Sequence, residues 1–280
     1  MTTSNVLEVN YEDIKFNKKG ESKVILGNGS YGRVFLARWR DRQTAVKELY
    51  PTKNPSASKR EINQLYRIRH KNIVKLYGVS EYNSKTYLLL EFMEGGSMHD
   101  FLYGPRESYQ YPTARDWANQ IAKGLAYLHD PSVGPIIHRD IKPHNILLSK
   151  ERLIVKIGDF GNAKPLDNAM TCESGTVMYM APEVYDSRNY TEKCDVYSFG
   201  ITVWEMLAMQ QPLNWYKKNF PLQLSVSRGE RPSFGGPMKN CPKSMKELIE
   251  SCWDQKPSNR PSMKSVIKEL NDMIDSSGEH

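Results

Sequence analysis

Cysteine is scarce in this chain: four in 280 residues, Cys172, Cys194, Cys241 and Cys252. No two stand at CxxC spacing and no histidine completes a metal knuckle, which argues against a zinc module. A disulfide framework is not expected in a chain long enough to bury a large core, so the thiols read as reduced and the setting as intracellular and cytoplasmic. Long apolar runs are missing too. None approaches the roughly 18 residues of a spanning helix, and no membrane insertion is expected. Residues 1–8 carry neither a basic stretch nor an apolar core, so no secretory signal is expected there. Blocks of one charge sign are absent as well. Lys and Arg number 39 against 32 Asp and Glu, a formal net charge of +7, yet no basic block reaches about five or six residues. That pattern favours a solvated surface with a mild preference for anions and disfavours nucleic acid. Internal repeats and low-complexity segments are also lacking. The remaining texture, 39% hydrophobic and 25% charged, is that of a globular chain.

Up to about Glu91 the sequence reads as short strands at 22–26, 33–39, 43–49, 74–79 and 86–91, rich in Val, Ile, Leu or Tyr. One helix, 58–69, interrupts them, with Ile62, Leu65 and Ile68 along one side. After Gly95 and Gly96 the period lengthens. A helix over 113–128 opens on Thr113-Ala114-Arg115-Asp116, a capping-box pattern, and carries Trp117, Ile121, Leu125 and Leu128 at helical spacing. Ser244 with Glu247 predicts the cap of another helix that runs to Cys252. A last helix, 263–273, has Val266, Ile267, Leu270 and Met273 on its buried face. The expected fold is α+β: a small strand-rich lobe, a large helical lobe, and a ligand cleft between them.

Four strings carry chemistry. Gly27-Asn28-Gly29-Ser30-Tyr31-Gly32-Arg33-Val34 lies between strands, where glycines let backbone N–H groups close over phosphates. A plain hairpin turn explains the same glycines about equally well; a dinucleotide fingerprint would lead into a helix, and this one does not. Lys47, after Ala45 and Val46, stands inside an apolar strand, and Glu61 on the following helix offers it a partner. Each alone is more simply a solvated surface residue. The stretch His138-Arg139-Asp140-Ile141-Lys142-Pro143-His144-Asn145 is far more specific. It places a base, a phosphate-binding cation and a metal-ligating amide within one loop. Asp159-Phe160-Gly161 follows a short strand, with a carboxylate suited to Mg²⁺. A loop without period then ends at Met180-Ala181-Pro182-Glu183.

In this order the motifs resemble those of the eukaryotic protein kinase family, across about residues 11–273. The resemblance implies a bilobal kinase fold, with an N-terminal extension over 1–18, the kinase domain over 19–275 and a short tail over 276–280. Within the domain it implies an N-lobe over about 19–91, a hinge at 91–96 and a C-lobe over 97–275. It implies ATP and Mg²⁺ as cofactors. Lys47, held by Glu61, would meet the inner phosphates; Asn145 and Asp159 would hold Mg²⁺; Asp140 would act on the substrate hydroxyl and Lys142 on the transferring phosphoryl group. Gly27, Asn28, Gly29, Ser30, Tyr31 and Gly32 would cover the phosphates. Val34, Ala45 and Leu147 would flank the adenine, with Leu90 screening the back pocket and the Glu91 and Met93 backbones binding its edge. Leu65, Leu76, His138 and Phe160 match the family's aligned apolar stack. Asp195 matches its large-lobe anchor, and Arg260 the partner of Glu183.

Lys142 and Thr176 are similar to serine/threonine members, whereas residues 198–205 and 252–262 look like the tyrosine-kinase-like group. Together they point to the upstream kinases of mitogen-activated cascades, acting on mitogen-activated-protein-kinase kinases in stress or innate immune signalling. Residues 72–78, 94–97 and 190–195 look most like the branch of transforming-growth-factor-β-activated kinases. Thr171 falls on that branch's activation-loop threonine, with Ser174 nearby, while Asn168 and Gly158 depart from its pattern. The chain stops soon after the kinase domain, which implies a short relative without the tail that binds adaptor subunits; an activating adaptor stays an open partner. A pseudokinase scaffold and a dual-specificity kinase are the alternative readings.

Overall fold

The computed structural model describes residues 6–29, 32–50, 62–63, 65–105, 108–133, 135–159, 177–186, 190–212 and 222–275. The chain divides into two compact units, Met1–Glu94 and Gly95–His280.

The small unit is built on strands β1 (Ile14–Phe16), β2 (Lys18–Lys19), β3 (Ser22–Lys23), β4 (Ile25–Gly29), β5 (Gly32–Trp39), β6 (Arg42–Leu49), β7 (Leu76–Tyr82) and β8 (Lys85–Glu91). Its main sheet runs β1-β5-β6-β8-β7, with β4 paired to β5, and all pairs are antiparallel. Successive side chains leave opposite faces of a strand. One face therefore gathers Ile14, Ala37, Trp39, Val46, Tyr87 and Leu89 into a core cluster with Val9. The other gathers Leu76, Val79 and Leu88 with Val6 and Ile62, and Leu65, Tyr66 and Leu90 pack against it. Residues 62–63 and 65–67 are helical, as the 58–69 period predicts, but Ile68 and Arg69 are not; 58–61 and 64 lie outside the described residues. The predicted strand 22–26 is divided at Val24, whose N–H turns to the Asn17 carbonyl at 2.8 Å. The predicted strand at 74 begins two residues later, at Leu76. Residues ahead of 19 do more than precede the sheet: β1 is one of its strands, and the Val9 N–H donates to the Val79 carbonyl while the Val79 N–H donates to the Leu7 carbonyl, both at 2.8 Å.

The large unit contains helices α1 (Met98–Tyr103), α2 (Tyr111–Leu128), α3 (Pro182–Asp186), α4 (Lys193–Ala208), α5 (Leu222–Ser227), α6 (Lys243–Cys252) and α7 (Met263–Asp275), and the ribbon β9 (Ile146–Leu148) with β10 (Val155–Ile157). Trp117, Ile121, Leu125 and Leu128 are all buried along α2, as their spacing predicts. Its start is not where the capping pattern put it. Pro112 sits in the first turn, where a fixed φ and a missing N–H cost nothing, so the helix begins ahead of Thr113. The same correction applies to α6, which starts at Lys243 behind Pro242 and leaves Ser244 inside the first turn with no side-chain cap. Val266 and Leu270 are buried on α7, with Ile267 and Met273 half-buried. Helix α4 is buried on every side, including Asp195, Ser198, Thr202 and Glu205. A helix covered all round must find a partner for each such polar group.

Candidate active site

In the small unit, the glycine string forms the end of the β4–β5 hairpin. Gly27 pairs with Val34, Asn28 with Arg33 and Gly29 with Gly32; Ser30 and Tyr31 lie outside the described residues. Gly32 is required by its surroundings. Its φ is +150°, and a Cβ there would stand 2.0 Å from the Glu48 carbonyl oxygen. Gly27 and Gly29 differ: a Cβ on either would meet nothing within 4 Å, so packing inside this unit does not explain them. Val34 lies directly across from Lys47, Ala45 across from Leu90, and Lys47 across from Leu88. That register sets Val34, Ala45, Lys47 and Leu90 on one face of the sheet. Lys47 is buried there, which sets aside the surface reading open to it in the sequence. Glu91 and Met93 close the unit, with the Glu91 N–H bonded to the Lys75 carbonyl at 2.9 Å and Met93 buried. Glu61 lies outside the described residues.

In the large unit, residues 136–141 are buried, and the loop hangs from one carboxylate. Asp195, at the start of α4, accepts from the backbone N–H of His138 and of Arg139, both at 2.8 Å, and meets His129 Nε2 at 2.9 Å. Burial alone would raise its pKa, but these bonds and the His129 and His138 rings together hold the carboxyl below its ordinary value. His138 Nε2 reaches the Gly158 carbonyl at 2.9 Å, and its Nδ1 accepts from the Asp140 N–H at 3.3 Å. Arg139 takes φ +68°, a left-handed conformation that only an over-determined loop holds for a residue with a side chain. These constraints fix Asp140. Its Oδ1 meets Lys142 Nζ at 2.9 Å, and its Oδ2 accepts from Asn145 Nδ2 at 2.9 Å.

The ribbon brings the second carboxylate to the same end. Asn145 enters β9, and Asp159 leaves β10 in antiparallel register; the Gly158 N–H bonds the Asn145 carbonyl at 2.8 Å. Asn145 Nδ2 is committed to the Asp140 carboxylate and, at 2.7 Å, to its carbonyl, which leaves the amide oxygen for a ligand. An amide oxygen and a carboxylate are hard donors of the kind Mg²⁺ takes. The residues therefore fit the cation. Leu147, half-buried on β9, bridges to Ser97. Beyond the ribbon, Arg260 forks onto Glu183 at 2.6 and 2.9 Å and donates to the Asp254 and Lys193 carbonyls at 2.8 and 2.9 Å. Phe160, Thr171, Ser174 and Thr176 lie outside the described residues.

Two features escape the sequence reading. His129, paired with Asp195 across 66 positions, has no local signal. Glu205 does: it is a charge inside an apolar run of α4, and such a charge must be partnered when buried. Tyr103 donates to its Oε1 at 2.7 Å and Tyr179 to its Oε2 at 2.6 Å.

An anchored loop carrying Asp140, Lys142 and Asn145, followed by a ribbon ending on Asp159, sets out groups of the kind that phosphoryl transfer uses. The protein kinase domain family matches residues 21–270, and the chain belongs to that family. Among individual proteins it is 39% identical to mitogen-activated protein kinase kinase kinase 7 of Drosophila melanogaster, over 95% of this chain and 38% of that protein. The human protein of that name is 38% identical over 93% of this chain and 42% of its own length. The Arabidopsis thaliana serine/threonine-protein kinase STY46 is 34% identical over 99% of this chain and 47% of its own length. The chain thus spans about two fifths to one half of these relatives.

Proposed function

We propose that the chain is a serine/threonine protein kinase of the mitogen-activated-protein-kinase-kinase-kinase type, moving the γ-phosphoryl group of ATP to Ser or Thr hydroxyls of downstream kinases. The observation that carries this reading is the setting of Asp140: a carboxylate aimed by Lys142 and Asn145 on a loop hung from Asp195. Asp140 orients the substrate hydroxyl and accepts its proton, while Lys142 stands by to stabilise charge on the transferring group. Lys47 neutralises the inner phosphates, and the backbone at Gly27 and Gly29, where no Cβ stands, covers them. On the small unit Val34, Ala45 and Leu90 offer the adenine an apolar face and the Glu91 and Met93 backbones hydrogen-bond its edge; on the large unit Leu147 is the residue assigned to it. Bound Mg²⁺, held by Asn145 and Asp159, supplies charge compensation between phosphate oxygens. The cascade assignment draws on the names of the relatives and on Lys142 and Thr176. An activating adaptor subunit, a cytoplasmic site of action and phosphorylation of Thr171 or Ser174, received by Arg139, belong to the same reading.

The test is a panel of purified mitogen-activated-protein-kinase kinases incubated with the chain and labelled ATP, followed by phosphoamino-acid analysis. Phosphoserine and phosphothreonine on at least one panel member are expected. Label confined to tyrosine, or on generic acceptors only, contradicts the assignment.

A further inference from the structure

Glu205 belongs to no step of the reaction described above, yet both of its oxygens are committed inside the large unit. It is fully buried in α4, and each of its oxygens accepts one phenol: Oε1 from Tyr103 at 2.7 Å and Oε2 from Tyr179 at 2.6 Å. Those lengths match charge-assisted O–H···O⁻ bonds and describe an ionised acceptor. The two phenols come from different places. Tyr179 ends the turn Val177–Tyr179, directly ahead of Met180, Ala181 and α3, and its own carbonyl accepts from Ser198 Oγ at 2.7 Å. Helix α4 therefore grips Tyr179 at both ends of the residue. Tyr103 closes α1, whose His99 stacks on His144 of the catalytic loop with ring centroids 3.8 Å apart. One carboxylate thus ties the segment after Thr176, which the kinase reading assigns to the substrate platform, to a helix that touches the loop of Asp140.

We propose that Glu205 is a positioning residue for phosphoryl transfer, acting through Tyr179 and Tyr103, and that its clamp is held only while the carboxylate is ionised. The proposal rests on the kinase reading given above. Among the described residues, the titratable groups facing Glu205 are Tyr103 from α1, Tyr179 from the 177–179 turn and Tyr109 from the segment ahead of α2, whose hydroxyl bonds the Met206 carbonyl. The carboxyl is pushed up by burial, against the two phenol bonds, to about 7. A proton there converts one of two accepting oxygens into a donor and removes the charge that shortens both bonds. The clamp is half-titrated near neutral pH. Stability runs the other way. A carboxyl raised on folding favours the folded chain at low pH and loses that contribution as pH rises through about 7. Activity and stability through this one group should move in opposite directions.

The experiment is a pH series of transfer to a generic protein acceptor, about pH 5.5 to about pH 9, for the wild type, Glu205→Gln, Tyr179→Phe and Tyr103→Phe, with melting temperatures recorded at each pH. The ionised fraction of a group titrating near 7 rises about tenfold from about pH 6 to about pH 8. The wild type should gain turnover by several-fold over that range with KM for ATP unchanged. In Glu205→Gln, which keeps a planar group able to bond both phenols, the gain should shrink below about twofold, and the melting temperature should lose the decline that this carboxyl gives the wild type as pH rises to about 7. Tyr179→Phe should lower turnover at high pH more than Tyr103→Phe does. A Glu205→Gln profile that follows the wild type overturns the inference while the kinase reading stands. If that variant does not fold, the two phenylalanine variants decide: wild-type profiles in both overturn it. No transfer by the wild type at any pH overturns the kinase reading itself, and the inference with it.

Discussion

Lys47 illustrates what one residue shows and what it hides. A lysine in an apolar strand is usually a surface residue, and only its sequence company suggested otherwise; the register with Val34 and Leu88 places it on a buried face. If it and Asp159 compensate phosphate and metal charge, Lys47→Met and Asp159→Asn should each cut transfer by more than about a hundredfold, roughly 3 kcal/mol of barrier, with folded protein by circular dichroism. Near-normal turnover by either folded variant removes that residue from its role. Gly32 makes a different kind of prediction. Its φ of +150° and the 2.0 Å approach of the Glu48 carbonyl leave no room for a methyl group. Gly32→Ala should destabilise the small unit by about 1–3 kcal/mol, read as a lowered melting temperature with ATP omitted. Gly27→Ala meets no atom within 4 Å and should leave the melting temperature unchanged.

At the scale of elements, the motifs were legible because each is local. The HRD-type loop and the DFG strand need only about ten consecutive residues to declare their chemistry, and the ribbon β9–β10 sets Asn145 and Asp159 at one end by register alone. Helix periods were legible for the same reason, since the buried faces of α2 and α7 repeat their spacing. Helix starts were not: Pro112 and Pro242 open α2 and α6 ahead of the hydroxyl residues that the capping pattern selected. Long-range polar partners were legible only where the resemblance supplied them, as for Asp195 and for Glu183 with Arg260. The His129–Asp195 and Glu205–Tyr179 pairs had no such guide. Asp195 deserves its own test, because its carboxyl is held below the ordinary value despite burial. A carboxyl depressed on folding contributes stability above its unfolded pKa and loses it as pH falls through the folded one. Asp195→Asn should therefore flatten the acid limb of the stability curve below about pH 4. It should also cost about 3–5 kcal/mol near neutrality, by weakening a buried charge network. Urea unfolding at several pH values measures both, and an unaltered acid limb contradicts the assignment.

Over the whole molecule, charge is less evenly spread than the interleaving of signs suggested. Residues 1–94 hold 17 Lys and Arg against 10 Asp and Glu, whereas residues 95–280 hold 22 of each. The entire net charge of +7 belongs to the small unit, the one that carries Lys47 and the glycine hairpin. A positive field there raises the local concentration of an anionic nucleotide, and its reach shortens as salt is added. The large unit, electrically neutral overall, contributes fixed geometry instead: the loop on Asp195, the ribbon, and the Arg260–Glu183 fork. The central claim is that these parts make an enzyme rather than a scaffold with a kinase fold, and it turns on Asp140. The most direct measurement is transfer of labelled γ-phosphate from Mg-ATP to a generic Ser/Thr acceptor, with nucleotide affinity measured in parallel, for the wild type and Asp140→Asn. The account requires transfer by the wild type, a loss of at least about a hundredfold in the variant, and nucleotide affinity within about twofold. Equal transfer by both proteins, or none by a wild type that binds Mg-ATP, would contradict it.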